Sequence, residues 1–319
     1  MTLRTYFAGL VNSLPTETRR LCFIMLVLNV GRVARLGNNI IQLYQSMLLA
    51  RQVGAVGVCI ESLRVFLFNP DFRQLVCSDG LVVTRRAFGK RYKVISDRFF
   101  GTDSFGGFEF DPDLSLVPGT FQDIQTIMGV SKSQCGISDY IHCHIRSGDI
   151  FVRKVPKYNY TQPPLAYYVR AVRDLLETGL YKGVKVVYET EHNPVVRELL
   201  GHACFGVPVV GQSSTLEEDV AELLTASAVV MGVGSFAPMI CAVSGKARHA
   251  AVFREQPSMY QFPLPCYFLE LFGTEVINYS DDGTYIPVNG WAICYPDTKQ
   301  SFRQRKLVVD FPIERIRRV

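Results

Sequence analysis

The sequence predicts an α/β protein with mostly parallel sheets, and three observations carry that expectation. Through the second half of the chain, apolar runs of strand length alternate with runs at helical spacing. The strand-like runs are nearly continuous rather than alternating, as in strands covered on both faces. Hydrophobic residues are 48% of the 319 and aromatics 12%, enough for real cores and too much for a disordered chain. At this length two domains of ordinary size are expected. A polar stretch over 129–138 marks the boundary, giving domains of 1–135 and 136–319.

Taken in order, residues 22–28 read as a buried strand. A loop over 31–39 follows, and then Ile40, Ile41, Leu43, Tyr44, Met47 and Leu48 recur at helical spacing. Strand, Gly/Asn loop and helix is the layout that aims backbone N–H groups at an anion. Residues 56–60 read as a second strand. From Phe99 to Phe121 the chain is rich in Gly, Asp, Phe and Pro without a period, which predicts a long loop. The second half predicts strands at 140–145, 184–188, 207–210, 228–231 and 250–253. Helices at 164–176, 194–200, 215–226 and 236–243 fall between them.

The net charge of +5 suits an anionic small ligand and is too diffuse to indicate nucleic acid. The basic run over 303–318 reads as solvated surface. None of the nine cysteines forms a Cys-x-x-Cys pair, and several fall in apolar runs. Reduced, mostly buried thiols are expected rather than a disulfide framework or a zinc site. Asn159 and Asn278 fit the glycosylation pattern, which matters only for a secreted chain. The apolar run over 22–30 falls short of the ~20 residues that span a bilayer. It also lacks a cleavage site, so a soluble, cytoplasmic chain is expected.

The most informative segment is Tyr140-Ile-His-Cys-His-Ile-Arg-Ser-Gly-Asp149. Alternation puts His142, His144 and Arg146 on one side, with Ile141, Cys143 and Ile145 on the other. A strand ending in His-x-Arg delivers a fixed cation to the edge where open α/β sheets bind ligands. The planar guanidinium fork suits phosphate. The same residues also fit a buried His and an Arg paired to Asp149 at an ordinary turn, and the segment alone does not choose. A second turn, Gly232-Val-Gly-Ser-Phe236, follows a strand and opens a helix, so it too can hold phosphate. Gly232, Gly234 and Ala237, with Glu255 about 20 residues on, match a relaxed dinucleotide fingerprint. That fingerprint ordinarily opens its domain, whereas little of this chain remains after Gly232.

Arg35-Leu-Gly-Asn-Asn39, then His144-Ile-Arg-Ser-Gly-Asp149, then Gly234-Ser-Phe236 resembles, in that order, the fucosyltransferase superfamily that uses GDP-fucose. This superfamily includes the α-1,2-, α-1,6- and protein O-fucosyltransferases. The resemblance covers scattered blocks from Val30 to Val243. It implies a GT-B fold, with two facing Rossmann-like domains, the second holding the donor. It implies inverting, metal-independent transfer of fucose to a glycan hydroxyl, with a nucleotide sugar and a glycan as partners and no cofactor. Carried over by motif, Arg146 would bind the β-phosphate and His144 the nucleotide. Asp219, sixteen positions before Ser235, would bind guanine. Ser235 and the N–H of Phe236 would hold phosphate oxygens, and Gly37 and Asn38 would line the donor cleft.

This sequence departs from the pattern at Ala34, Asn39 and Ser227–Ala228, which leaves GDP-mannose and GDP-rhamnose open as donors. Asp149, Glu189 and Glu191 are candidate bases, and nothing in the sequence selects one. No third ligand joins His142 and His144 at a metal-site spacing. Asp111-Pro-Asp113 lies in an irregular loop and reads as a surface turn. Tyr158, Tyr160, Tyr167 and Tyr168 divide between a sugar site and core packing. The alternatives in other classes are an NAD(P)-dependent oxidoreductase on Gly232–Ala237 and an inactive GT-B fold that only binds glycans.

Overall fold

The computed structural model describes residues 25–31, 35–89, 92–97, 113–130, 136–147, 162–202, 205–253, 269–285 and 306–319. The chain divides into two compact units, Met1–Ser131 and Lys132–Val319.

In the first unit, β1 (Leu26–Val30), β2 (Gly57–Cys59), β3 (Gln74–Val76), β4 (Val82–Thr84) and β5 (Lys93–Asp97) form a sheet ordered β3-β4-β2-β1-β5. All its pairings are parallel except β3 with β4. β1 is flanked on both sides, in keeping with its apolar run Leu26-Val-Leu28, and Asn29 beyond that run donates to Ser96 Oγ of β5 at 3.0 Å. Among the described residues two helices accompany the sheet, α1 (Leu36–Val53) and α2 (Val117–Met128). Tyr44 of α1 stacks on Phe121 of α2 with centroids 5.0 Å apart. In the last turn of α1 the nearly buried Arg51 reaches Asp79 at 2.6 Å and Asp123 at 2.7 Å. It also donates to Thr120 Oγ1 at 2.7 Å, so one side chain ties α1 to α2 and to the turn between β3 and β4.

Three expectations need correction here. The first described strand is Leu26–Val30, two residues past the end expected, and residues 22–24 lie outside the described residues. The loop expected over 31–39 ends early, because α1 starts at Leu36 and takes Gly37 and Asn38 into its first turn. Gly and Asn are poor mid-helix residues, but first-turn N–H groups lack helix partners in any case, and burial of Leu36 favours the early start. The loop expected over 99–121 also ends early, at α2. Pro118 sits in its first turn, where a missing N–H costs nothing.

In the second unit, β6 (Ser138–Ile145), β7 (Gly183–Tyr188), β8 (Val209–Gln212), β9 (Ala226–Met231), β10 (His249–Phe253), β11 (Glu275–Ser280) and β12 (Arg317–Arg318) form the other sheet. Its order is β12-β11-β10-β9-β6-β7-β8, parallel except for β12 on β11. Counted from β6, the parallel strands read 3-2-1-4-5-6, the doubly wound order whose direction switches between β6 and β9. The helices that matter for the site are α3 (Leu165–Leu176), α4 (Pro194–Leu200), α5 (Leu216–Thr225) and α6 (Phe236–Ser244). Ile141, Cys143 and Ile145 enter a core shared with Tyr167, Tyr168 and Val172 of α3. The alternation read from the sequence puts His142 and His144 on the other face.

The α/β class with two mostly parallel sheets is therefore as predicted. Cys59, Cys77, Cys143 and Cys241 are buried free thiols, and the other cysteines lie outside the described residues. Among the described residues no helix is long and apolar enough to cross a membrane.

Candidate functional site

β6 lies between β7 and β9, with Ile145 opposite Tyr188 and His144 opposite Met231, so its carboxyl end is held on both sides. The exit at Arg146 and Ser147 is fixed further by two buried polar side chains. Asn193 Nδ2 donates to the Arg146 carbonyl at 3.0 Å, while its Oδ1 caps α4 by accepting from the Val195 N–H at 3.1 Å. Ser147 Oγ accepts from the Glu189 and Thr190 N–H groups at 3.2 and 2.9 Å. Sequence reasoning did not single out Asn193 or Ser147. Asn193-Pro194 is nevertheless a legible helix start, an Asn cap followed by Pro in the first position.

The turn from β9 to α6 packs directly against this exit. The Gly232 N–H donates to the His144 carbonyl at 2.8 Å. A Cβ on Gly232 would come within 2.6 Å of that carbonyl oxygen, so the close approach of β6 requires glycine. Gly234 has φ +121°, and a Cβ there would lie 2.6 Å from Arg146 Nη1. The guanidinium thus lies across the turn. Ser235 stands at the N-cap position and Phe236 opens α6. The Phe236 ring lies 5.4 Å from the His144 ring. A permanent cation, a glycine turn and the N–H end of a helix therefore converge at the switch point, an arrangement suited to an anionic oxygen.

Burial, and after it the Arg146 charge, holds the His144 imidazole down at about 4, so the ring is neutral at pH 7. Its Nδ1 is buried and makes no hydrogen bond to the protein. The same holds for the Tyr168 hydroxyl. An unsatisfied buried polar group costs about 1–3 kcal/mol.

Of the residues singled out in the sequence, His144, Arg146, Ser235 and Phe236 come together at the switch point. Asp219 stands with the end of β8, in the first turn of α5. It is half-buried and accepts from Gln212 Nε2 at 3.4 Å, and burial raises its carboxyl above the ordinary value. Gly37 and Asn38 belong to the first unit. Asp149, Tyr158, Tyr160 and Asp111 lie outside the described residues. Asp113 caps a short turn, accepting from the Ser115 N–H at 3.0 Å. Glu191 pairs with Arg197 at 3.0 Å.

His142 shares a face with His144 but not its surroundings. Its Nδ1 lies 3.1 Å from the Tyr140 carbonyl. Its Nε2 lies 3.5 Å from Glu222, which Lys185 also reaches at 2.7 Å. The His142 ring and the Lys185 ammonium hold the Glu222 carboxyl down at about 2. The lysine contact is of hydrogen-bond length and the histidine contact is longer, so we assign the larger share to Lys185. Among the described residues no three His, Cys, Asp or Glu side chains gather as metal ligands.

No family model matches this sequence, and no curated protein matches it. Among solved structures it is similar to E. coli heptosyltransferase WaaC with ADP, at 11% identity over 88% of this chain and 100% of that one, with a TM-score of 0.39. It is similar also to E. coli heptosyltransferase WaaC with ADP-2-deoxy-2-fluoro heptose, at 13% identity over 73% and 90%, with a TM-score of 0.37. Likeness at this level assigns no function.

Proposed function

We propose that this chain is a GT-B glycosyltransferase that transfers fucose from GDP-fucose to a glycan hydroxyl, with inversion and without a metal. The observation that carries the reading is the guanidinium of Arg146 lying across Gly234 at the switch point, beside the N–H end of α6. Displacing a diphosphate from an anomeric carbon puts negative charge on the leaving oxygen. A preorganised Arg and backbone N–H groups stabilise that charge by themselves. The motif order supports GDP-fucose as the donor, with GDP-mannose or GDP-rhamnose as variants of the same chemistry. His144, neutral and buried, would contact the nucleotide without adding charge beside Arg146.

The oxidoreductase reading fits less well. Its fingerprint turn follows the unit's fourth strand rather than its first. The face of Gly234 that a pyrophosphate would approach in such enzymes is covered by Arg146.

Thermal unfolding with GDP, ADP, UDP and NAD tests the reading, together with a donor-hydrolysis screen across nucleotide sugars. Ligand at ~100 times its Kd adds about 2.7 kcal/mol, and each kcal/mol raises the midpoint by about 2–4 °C at this size. GDP should raise it by several degrees, and hydrolysis of GDP-fucose should persist in excess EDTA. A larger shift with NAD would favour the oxidoreductase, and no shift with any nucleotide would favour a binding-only fold.

A further inference from the structure

Tyr167 and Tyr168 are adjacent on α3, both wholly buried, with ring centroids 4.9 Å apart. Their hydroxyls differ. Tyr167 donates to the Met231 carbonyl at 3.1 Å, at the carboxyl end of β9, and to the Ala251 carbonyl at 2.8 Å, in the middle of β10. Tyr168 makes no hydrogen bond to the protein. Its hydroxyl ends against the glycine turn, where a Cβ on Gly232 would lie 2.9 Å from it and 3.2 Å from the Arg146 main-chain nitrogen. The missing side chain at Gly232 is what lets the hydroxyl come so close to the turn.

A phenylalanine would fill the same space without burying an unpaired hydroxyl. Burial also raises the Tyr168 pKa far above the ordinary value, so the group stays protonated and available as a donor. It stands at the switch point, where Arg146 and the α6 terminus already favour negative charge. The partner that this position suits is an anionic oxygen supplied from outside the protein.

We propose that Tyr168 is a further binding residue of this site, its hydroxyl donating to a diphosphate oxygen of the bound nucleotide alongside Arg146. The inference rests on reading the switch point as a nucleoside-diphosphate site. It assigns Tyr168 to the phosphates rather than to a sugar or to packing alone.

The test compares wild type with Tyr168→Phe in two measurements. One is the unfolding midpoint without ligand, and the other is calorimetric affinity for GDP and ADP against guanosine and adenosine. The variant should unfold at the same or a higher temperature, because it loses an unsatisfied hydroxyl. It should bind the preferred diphosphate about tenfold or more weakly, as expected for a hydrogen bond to a charged group, and bind the nucleosides as wild type does. Unchanged diphosphate affinity would overturn the role of Tyr168 while leaving the site intact. A less stable variant would overturn it as well, by showing that the hydroxyl is already satisfied in the free protein. Failure of the wild type to bind either diphosphate would sink the reading of the site itself, and the proposal with it.

Discussion

The Arg146 guanidinium and the backbone of Gly234 constrain each other across the switch point, with Nη1 2.6 Å from where a Cβ on that glycine would stand. The glycine is required twice, by this contact and by its φ of +121°. Gly234→Ala should lose about 1–3 kcal/mol from the backbone conformation alone, with the displaced guanidinium adding to it. In an Arg146→Ala background only the backbone part remains, so the same substitution should cost less. A double-mutant cycle by denaturant unfolding measures the difference, expected at about 0.5 kcal/mol or more. Equal costs in both backgrounds would show that the two groups do not touch.

In the first unit, Arg51 balances Asp79 and Asp123 in a partly buried network. Removing the cation leaves both carboxylates without their shared partner. Arg51→Met should therefore destabilise by about 1–3 kcal/mol, between the ranges for exposed and for buried pairs because both carboxylates keep some exposure. Asp79→Asn should cost less, because Asp79 is the more exposed partner and Arg51 keeps Asp123. Chemical denaturation of both variants checks the order. Near-equal losses would mean that the network does not act through Arg51.

Two groups set separate acid windows. His144 sits at about 4 in the folded chain against an ordinary 6.5. The unfolded chain therefore takes up the proton first, and stability falls as pH drops from 6.5 through 4. Glu222 sits at about 2 against an ordinary 4.5, so its contribution is present above 4.5 and is lost as pH drops from 4.5 towards 2. Unfolding free energy followed against pH should lose slope in the upper window for His144→Gln and in the lower window for Glu222→Gln. If His144→Gln leaves the slope between 6.5 and 4 unchanged, the imidazole is not held neutral by its surroundings.

Much of the second unit is legible in the sequence because its strands are continuous apolar runs and its helices carry caps, as with Asn193 and Thr215. β6 is the clearest case, since alternation alone puts His144 and Cys143 on opposite faces. The β3–β4 hairpin escapes sequence reasoning because Gln74-Leu-Val76 is a short, largely exposed edge strand with little burial to pattern it. The start of α1 is misread for a different reason. Gly37 and Asn38 have loop propensities, but tertiary burial puts them in a helical turn. At the site, the sequence marks Arg146 and the Gly232–Gly234 turn. That the one lies across the other is a property of strand order, which no local pattern encodes. Tyr168 is only partly legible for a similar reason, since the sequence leaves it between a sugar site and core packing until its hydroxyl is seen to lack a partner.

The separation of Asp219 from Arg146 along the sheet edge leads to the last prediction. Asp219 accepts a long bond from Gln212 and is held also by the Ser214 backbone, while burial raises its carboxyl and makes an added donor favourable to its charged form. Two N–H groups on the edge of guanine fit that requirement, and adenine offers no such pair there. Asp219→Ala should therefore weaken GDP about tenfold or more and leave ADP almost unchanged, reducing the preference between the bases. Arg146→Lys should instead weaken both diphosphates together and lose most transfer activity with the fold retained, because a point charge does not reproduce the guanidinium fork. Calorimetric titration of each variant with GDP and ADP separates the two effects. If Asp219→Ala weakens both nucleotides equally, the carboxylate does not read the base. If Arg146→Lys turns over donor within about twofold of wild type, where a role in phosphate binding calls for roughly tenfold or more, the guanidinium is not the phosphate ligand.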